Sequence, residues 1–147
     1  MISSVLGSTT VGVNAYHVTI ETHLEKSLPK VIIVGLPDSA VKESAERVSA
    51  AIKNSFYHFP MQKITVNLAP ADVRKEGSGF DLPIALGILC ESEQVKPDML
   101  ADYVFVGELS LDGKLRPVRG VLPVAIEVKK KGLKGMIVPE ENAKEAA

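Results

Sequence analysis

Ser78 closes a polar loop, Asp72-Val-Arg-Lys-Glu-Gly-Ser-Gly79, and stands directly before a run, Phe80 to Cys90, that is apolar almost all the way round. A serine between a loop and a buried helix is placed where an activated nucleophile can work, but its hydroxyl then needs a base, either a histidine or a lysine of depressed pKa. His17, His23 and His58 lie far off in sequence, and none sits in a triad-like context. The competing reading is local: Ser78 and Asp81 both compete to cap the helix that follows. Gly77-Ser-Gly79 ahead of a helix also offers backbone N–H groups to an anion. The P-loop pattern occurs nowhere in the chain, however, and Leu82 stands where a dinucleotide fingerprint needs its third glycine. No cysteine–histidine cluster suits a metal, and Glu140-Glu141 reads as first-turn charge placed to suit a helix dipole.

The cations form three groups. Arg74-Lys75 lies in the central loop, Lys114, Arg116 and Arg119 surround a turn, and Lys129-Lys-Lys131 with Lys134 crowd a helix end that the dipole alone justifies. Arg116 and Arg119, flanking Pro117, suit phosphates or a neighbouring subunit's carboxylates; a solvated surface explains them equally well.

These residues need a scaffold. Residues 2–24 read as a hairpin of alternating strands with Gly7-Ser-Thr-Thr10 as its turn. Val31-Ile-Ile-Val34 lacks polar alternation, as expected of a strand covered on both faces. Asp38 is placed to cap a helix over Ser39 to Ser55, in which Val41, Ala45, Val48 and Ile52 form the buried stripe and Lys42, Glu43, Glu46, Arg47 and Lys53 the wet face. A strand at 63–68 leads into the central loop, and the helix from about Asp81 to Glu91 tolerates Pro83 in its first turn. Tyr103-Val-Phe-Val106 and Lys114-Leu-Arg116 read as a hairpin turning at Asp112-Gly113. A helix from Leu122 to Lys131, closed by Gly132, precedes a last strand, Gly135-Met-Ile-Val138. The sum is an α/β or α+β two-layer domain.

Composition sets the class. The 147 residues are 46% hydrophobic and 24% charged with a net charge of −1, so the chain is globular and exerts no whole-domain pull on nucleic acid or an anionic membrane. One cysteine, Cys90, in an apolar segment provides no disulfide framework and fits a reducing compartment. No stretch approaches the roughly 20 apolar residues of a membrane span, and no export signal opens the chain. A cytoplasmic protein with no membrane partner is the expectation. Pro139 to Ala147 starts like a helix and stops in mid-stride, which suggests one domain, residues 1–147, of a longer protein.

Several blocks carry a resemblance. Gly35-Leu-Pro-Asp38, Val41-Lys-Glu-Ser44, Arg47-Val48, Ala50-Ala-Ile-Lys-Asn-Ser55, Ile64-Thr-Val-Asn-Leu-Ala-Pro-Ala-Asp72, Lys75-Glu-Gly-Ser78, Phe80-Asp-Leu-Pro-Ile-Ala-Leu-Gly-Ile-Leu89, Gly107-Glu-Leu109 and Leu115-Arg-Pro-Val-Arg-Gly120 follow one another over nearly the whole chain. Together they resemble the N-terminal, ChlI-type domain of the ComM/YifB family, the magnesium-chelatase-like bacterial proteins. The resemblance implies the fold shared with the Lon protease domain and the RadA C-terminal domain, related to domain two of a ribosomal small-subunit protein. That fold has a mixed sheet and a left-handed βαβ crossover, against the usual right-handed preference. It also implies an AAA+ ATPase module, with ATP and Mg²⁺, after residue 147, a hexameric ring, and a helicase role in DNA branch migration and recombination during natural transformation.

Lon itself uses a Ser–Lys dyad. Aligned through Lys75-Glu-Gly77, the nucleophile's place falls on Gly79, one past Ser78, and the dyad lysine's near Leu122. Gly79 also replaces a position commonly arginine in the family. The resemblance therefore implies a non-catalytic relative with no cofactor of its own, in which Arg74, Lys75, Arg116 and Arg119 are candidate contacts to DNA or to another subunit. The alternatives are a Lon-like serine peptidase using Ser78 and a magnesium-chelatase subunit.

Overall fold

A computed structural model describes residues 2–147. In chain order it contains β1 (Ser3–Val11), β2 (Asn14–Glu25), β3 (Lys30–Val34), α1 (Ser39–Lys42), α2 (Ser44–Asn54), β4 (Lys63–Ala69), α3 (Asp81–Glu91), β5 (Tyr103–Phe105), β6 (Glu108–Leu109), β7 (Leu115–Arg116), α4 (Val121–Lys130), β8 (Gly135–Ile137) and α5 (Ala143–Ala146). Six strands form one sheet in the order β3-β4-β2-β1-β5-β8, and β6 and β7 pair separately. The sheet is mixed: β1 with β2 and β2 with β4 are antiparallel, whereas β3 with β4, β1 with β5 and β5 with β8 are parallel. The fold is mixed α/β, as its sequence periodicities require.

Alternation along the strands sorts the core into two layers. Val18, Ile20, Ile64, Val66 and Leu68 face α2 and α3, where they meet Val48, Ile52, Phe80, Ile84 and Ile88. On the opposite face Leu6, Ala15 and Val104 meet Val124 and Val128 of α4. The expected two-layer packing therefore holds only over β3 and β4. Over β2 and β1, α4 adds a third layer, because odd-numbered Ala15 and even-numbered Val18 of β2 are both buried.

Four local expectations are corrected. The turn between β1 and β2 is Gly12-Val13, with Val11 opposite Asn14, and Gly12 takes the φ of +64° that such a turn demands. Gly7-Ser-Thr-Thr10 lies inside β1 instead; a Cβ on Gly7 would meet Ile20 Cδ1 at 2.8 Å, so packing rather than turning explains that glycine. Val31 to Val34 is an edge strand, half-buried under α2 on one side only. An uninterrupted apolar run does not distinguish edge from centre. Leu115-Arg116 pairs with Glu108-Leu109, not with Tyr103–Val106, which belongs to the main sheet between β1 and β8. The turn at Asp112-Gly113 stands, with the Ser110 N–H donating to the Lys114 carbonyl at 2.9 Å. The helix expected over Ser39 to Ser55 is interrupted by a tight turn at Glu43, and Asp38 caps its start by accepting from the Val41 N–H at 2.8 Å.

His17 of β2 is covered by α4, and neither ring nitrogen has a hydrogen-bond partner. Burial lowers its pKa below the ordinary 6.5; Glu127 opposes the shift and Lys131 reinforces it. The unfolded chain therefore binds a proton on this imidazole more readily than the folded one, so stability is highest above pH 6.5 and declines as pH falls through and below that value. Urea midpoints measured across this range are expected to fall less steeply with acid in His17→Gln than in the wild type.

Candidate functional site

The central loop is held in place by backbone bonds at both ends. The Lys75 N–H donates to the Leu36 carbonyl at 3.0 Å, and the Asp38 N–H donates to the Lys75 carbonyl at 2.9 Å, zipping the end of β3 to the loop. Gly107 N–H donates to the Gly79 carbonyl at 3.0 Å, and Leu82 N–H to the Gly107 carbonyl at 3.1 Å. A third clamp is side-chain-made. Buried Asn142 donates from Nδ2 to the Val118 carbonyl at 2.9 Å and accepts the Val118 N–H at 3.0 Å, which fixes the segment before α4.

Between these segments lies a cleft of about 500 Å³. Ser8, Thr9 and Thr10 of β1 form one side, Glu76 to Gly79 another, and Pro117 to Val121 a third, with Asp38 and Glu108 at its margins. Ser78 and Gly79, the places the Lon comparison singles out, are both in it; Leu122 is not. Leu122 is half-exposed and donates its N–H to Glu145 at 3.2 Å. Among the described residues no histidine, lysine or cysteine lines the cleft, so none of His17, His23 and His58 shares its lining with Ser78.

Ser78 and Asp81 do not cap α3 with their side chains: Phe80 is the capping residue, and no side chain accepts there. Asp81 is wholly buried and accepts four bonds instead, from Ser44 Oγ at 2.6 Å, Arg47 Nη2 at 3.0 Å, Arg47 Nε at 2.7 Å and the Leu109 N–H at 3.0 Å. Arg47 thus leaves the wet face of α2. Its guanidinium is held above its ordinary pKa, chiefly by the hydrogen bond to Asp81. Sequence reasoning missed Asp81, Arg47, Ser44 and Asn142 as a framework. The one available signal was Asp81 itself, a lone charge inside the apolar run Phe80 to Cys90.

The candidate cations do not converge. Arg119 is exposed at the cleft. Arg116 is exposed on β7, beside Lys114 in a separate surface groove, and Arg74 is exposed with its Nε 3.2 Å from Glu76. Lys75 is a correction: its side chain is 0% exposed, its ammonium donates to the Pro70 carbonyl, and burial lowers its pKa, with Asp72 partly opposing. An ammonium in that position faces the protein's own loop, not a partner. Among the described residues no group of three or more His, Cys, Asp or Glu is arranged to hold a metal, and no helix is long and apolar enough to cross a membrane.

Comparison with known proteins places the chain in a family. The family model for subunit ChlI of Mg-chelatase matches residues 20–142. The chain is 50% identical over 135 residues to YifB of Escherichia coli (strain K12), covering 92% of this chain and 26% of that protein. It is 48% identical over 137 residues to competence protein ComM of Haemophilus influenzae, covering 93% of this chain and 27% of that protein. More distantly, it is 27% identical over 147 residues to the Lon protease of Trichlorobacter lovleyi, covering 95% of this chain and 18% of that protein. The chain belongs to the ComM/YifB family of ChlI-type, magnesium-chelatase-like proteins, and it spans about a quarter of the length of the relatives first matched.

Removing Asp81 leaves Arg47, Ser44 and the Leu109 N–H without their acceptor. Asp81→Ala is expected to cost about 3 kcal/mol, at the low end for a broken buried pair because Arg47 reaches solvent. Urea unfolding measures it, and Arg47→Met combined with Asp81→Leu is expected to recover part of the loss.

Proposed function

We propose that this chain is the non-catalytic N-terminal domain of a ComM-like, hexameric AAA+ ATPase that remodels DNA in branch migration and recombination during natural transformation. The observation that carries the reading is the 48% identity to a competence protein along 93% of this chain. On this reading ATP and Mg²⁺ belong to a module beyond residue 147, for which the relative's length leaves room, since this chain covers 27% of the competence protein. Within the ring the domain sits in the cytoplasm, contacts neighbouring copies, and guides DNA with Arg116 and Arg119 as first candidates and Arg74 as a third. The finer fold assignment, Lon-like with a left-handed crossover, belongs to the same proposal and is supported by the Lon similarity.

Converting Arg116 and Arg119 to alanine in the full-length protein is expected to weaken DNA binding and to lower the salt slope by about 1 for each phosphate no longer neutralised. An unchanged affinity and slope would remove both residues from the proposal.

A second reading, a Lon-like serine peptidase, draws on the placement of Ser78 in the cleft and on the Lon similarity. Against it stands the cleft lining, which offers Ser78 no histidine or lysine as a base. A fluorophosphonate probe is expected to leave Ser78 unlabelled; labelling that disappears in Ser78→Ala would establish the peptidase.

A further inference from the structure

β1 outruns the strand beside it. It pairs with β2 along its whole length, from Ser3 opposite Thr22 to Val11 opposite Asn14. On its other edge, among the described residues, β5 supplies a single register pair, Leu6 with Val104. Past that pair no further register pair joins the two strands: Val106 N–H donates to the Ile137 carbonyl of β8 at 3.0 Å, and Gly107 N–H to the Gly79 carbonyl at 3.0 Å. From Ser8 to Val11 the outer edge of β1 therefore has no strand beside it. In an antiparallel pair alternate residues point N–H and C=O away from the partner, so this edge presents backbone donors and acceptors to whatever lies next to it. What lies next to it is the cleft of about 500 Å³, floored by Ser8, Thr9 and Thr10.

The wall opposite is nearly bare. A Cβ on Gly77 would meet nothing within 4 Å, and one on Gly79 would meet only Val106 and Val118 at 3.5 and 3.8 Å, so neither glycine is needed there to relieve a clash. Their lack of side chains leaves room for a backbone alongside β1. The charges select among occupants. Asp38, Glu76 and Glu108 line the cleft against the single guanidinium of Arg119. Asp38 is occupied by the N–H groups of Val41 at 2.8 Å and Gly77 at 3.2 Å, and Glu76 is paired with Arg74 at 3.2 Å, while Glu108 has no ion pair among the described residues. Glu108 is thus the carboxylate of the cleft left free to attract a cationic side chain.

We propose that the cleft binds an extended polypeptide segment carrying lysine or arginine, which adds as a strand to the free edge of β1 at Ser8–Val11 with its cation toward Glu108. Main-chain bonds to β1 supply the affinity and Glu108 the preference, as in other strand-addition sites. This goes beyond the DNA-guiding reading and stands apart from it, since a loss of DNA binding and a loss of peptide binding are read in different experiments.

The test is a titration of the isotope-labelled 147-residue chain, followed by amide resonances. The probes are a blocked pentapeptide of alternating valine and lysine, its valine–glutamate counterpart, and a short oligothymidylate. The lysine peptide is expected to give saturable shifts at Ser8, Thr9, Thr10 and Gly77 to Gly79, and to slow amide exchange along Ser8–Val11. Gly79→Val places bulk in the cleft at a position whose backbone accepts a side chain, and is expected to abolish those shifts while the remaining spectrum and Tm hold. Glu108→Gln, which disturbs the fold least, is expected to weaken binding about two- to fivefold. The proposal is overturned by any of four results: no saturable shift at the β1 edge, an equal response to the glutamate peptide, undiminished binding in both variants, or oligothymidylate occupying the same amides in preference to the peptide.

Discussion

The buried carboxylate of Asp81 is the constraint from which the arrangement of the cleft follows. Its two oxygens accept from Ser44 and Arg47 of α2 and from the Leu109 N–H of β6, so one side chain ties α2 and the small hairpin to the first turn of α3. A carboxylate taken fully out of water is tolerable only when its lone pairs are satisfied and its charge is matched, and here both conditions are met. The partner is an arginine, whose planar fork donates from Nε and Nη2 together, a geometry a lysine does not reproduce. Because α3 cannot rotate without breaking this set, the loop that enters it has a fixed end.

The rest of the cleft is built by smaller clamps of the same kind. The 36–38 segment and Lys75 exchange backbone bonds, Gly107 donates to Gly79 and accepts from Leu82 across the mouth, and Asn142 grips both polar groups of Val118. Lys75 works from beneath: its buried ammonium bonds the Pro70 carbonyl and so stiffens the loop from inside. These are irregular segments, and the bonds named here satisfy polar groups that no helix or strand ladder would. The result is a concave surface with fixed walls, a bare glycine side and an unpaired strand edge.

Sequence patterns reached the local elements well. The stripe of Val41, Val48 and Ile52, the Asp38 cap, the Asp112-Gly113 turn and the place of Pro83 in the first turn of α3 all rest on interactions between residues close in the chain. The family followed from residue blocks such as Ile64 to Asp72 and Phe80 to Leu89. The errors have a common origin. Gly7 resembled a turn residue because its real neighbours, Ile20 and Phe80, are remote in sequence, and Val31 to Val34 read as a strand covered on both faces because an apolar run does not reveal that only one face meets the core. Arg47 and Lys75 were placed in water by their charge alone.

The sequence by itself determined most of the helices and strands, the Asp112-Gly113 turn and the family, because periodicity, capping and turn chemistry act over a few residues. Only the tertiary structure decided which strands pair, which charges are buried and where β1 is left without a neighbour. Those outcomes depend on chain segments tens of residues apart competing for the same surfaces. The pairing of Asp81 with Arg47, across 34 positions, is the clearest case: alone, Asp81 reads as a helix cap and Arg47 as a wet-face charge, and only their meeting lets the carboxylate be buried while Arg47 keeps part of its side chain in solvent.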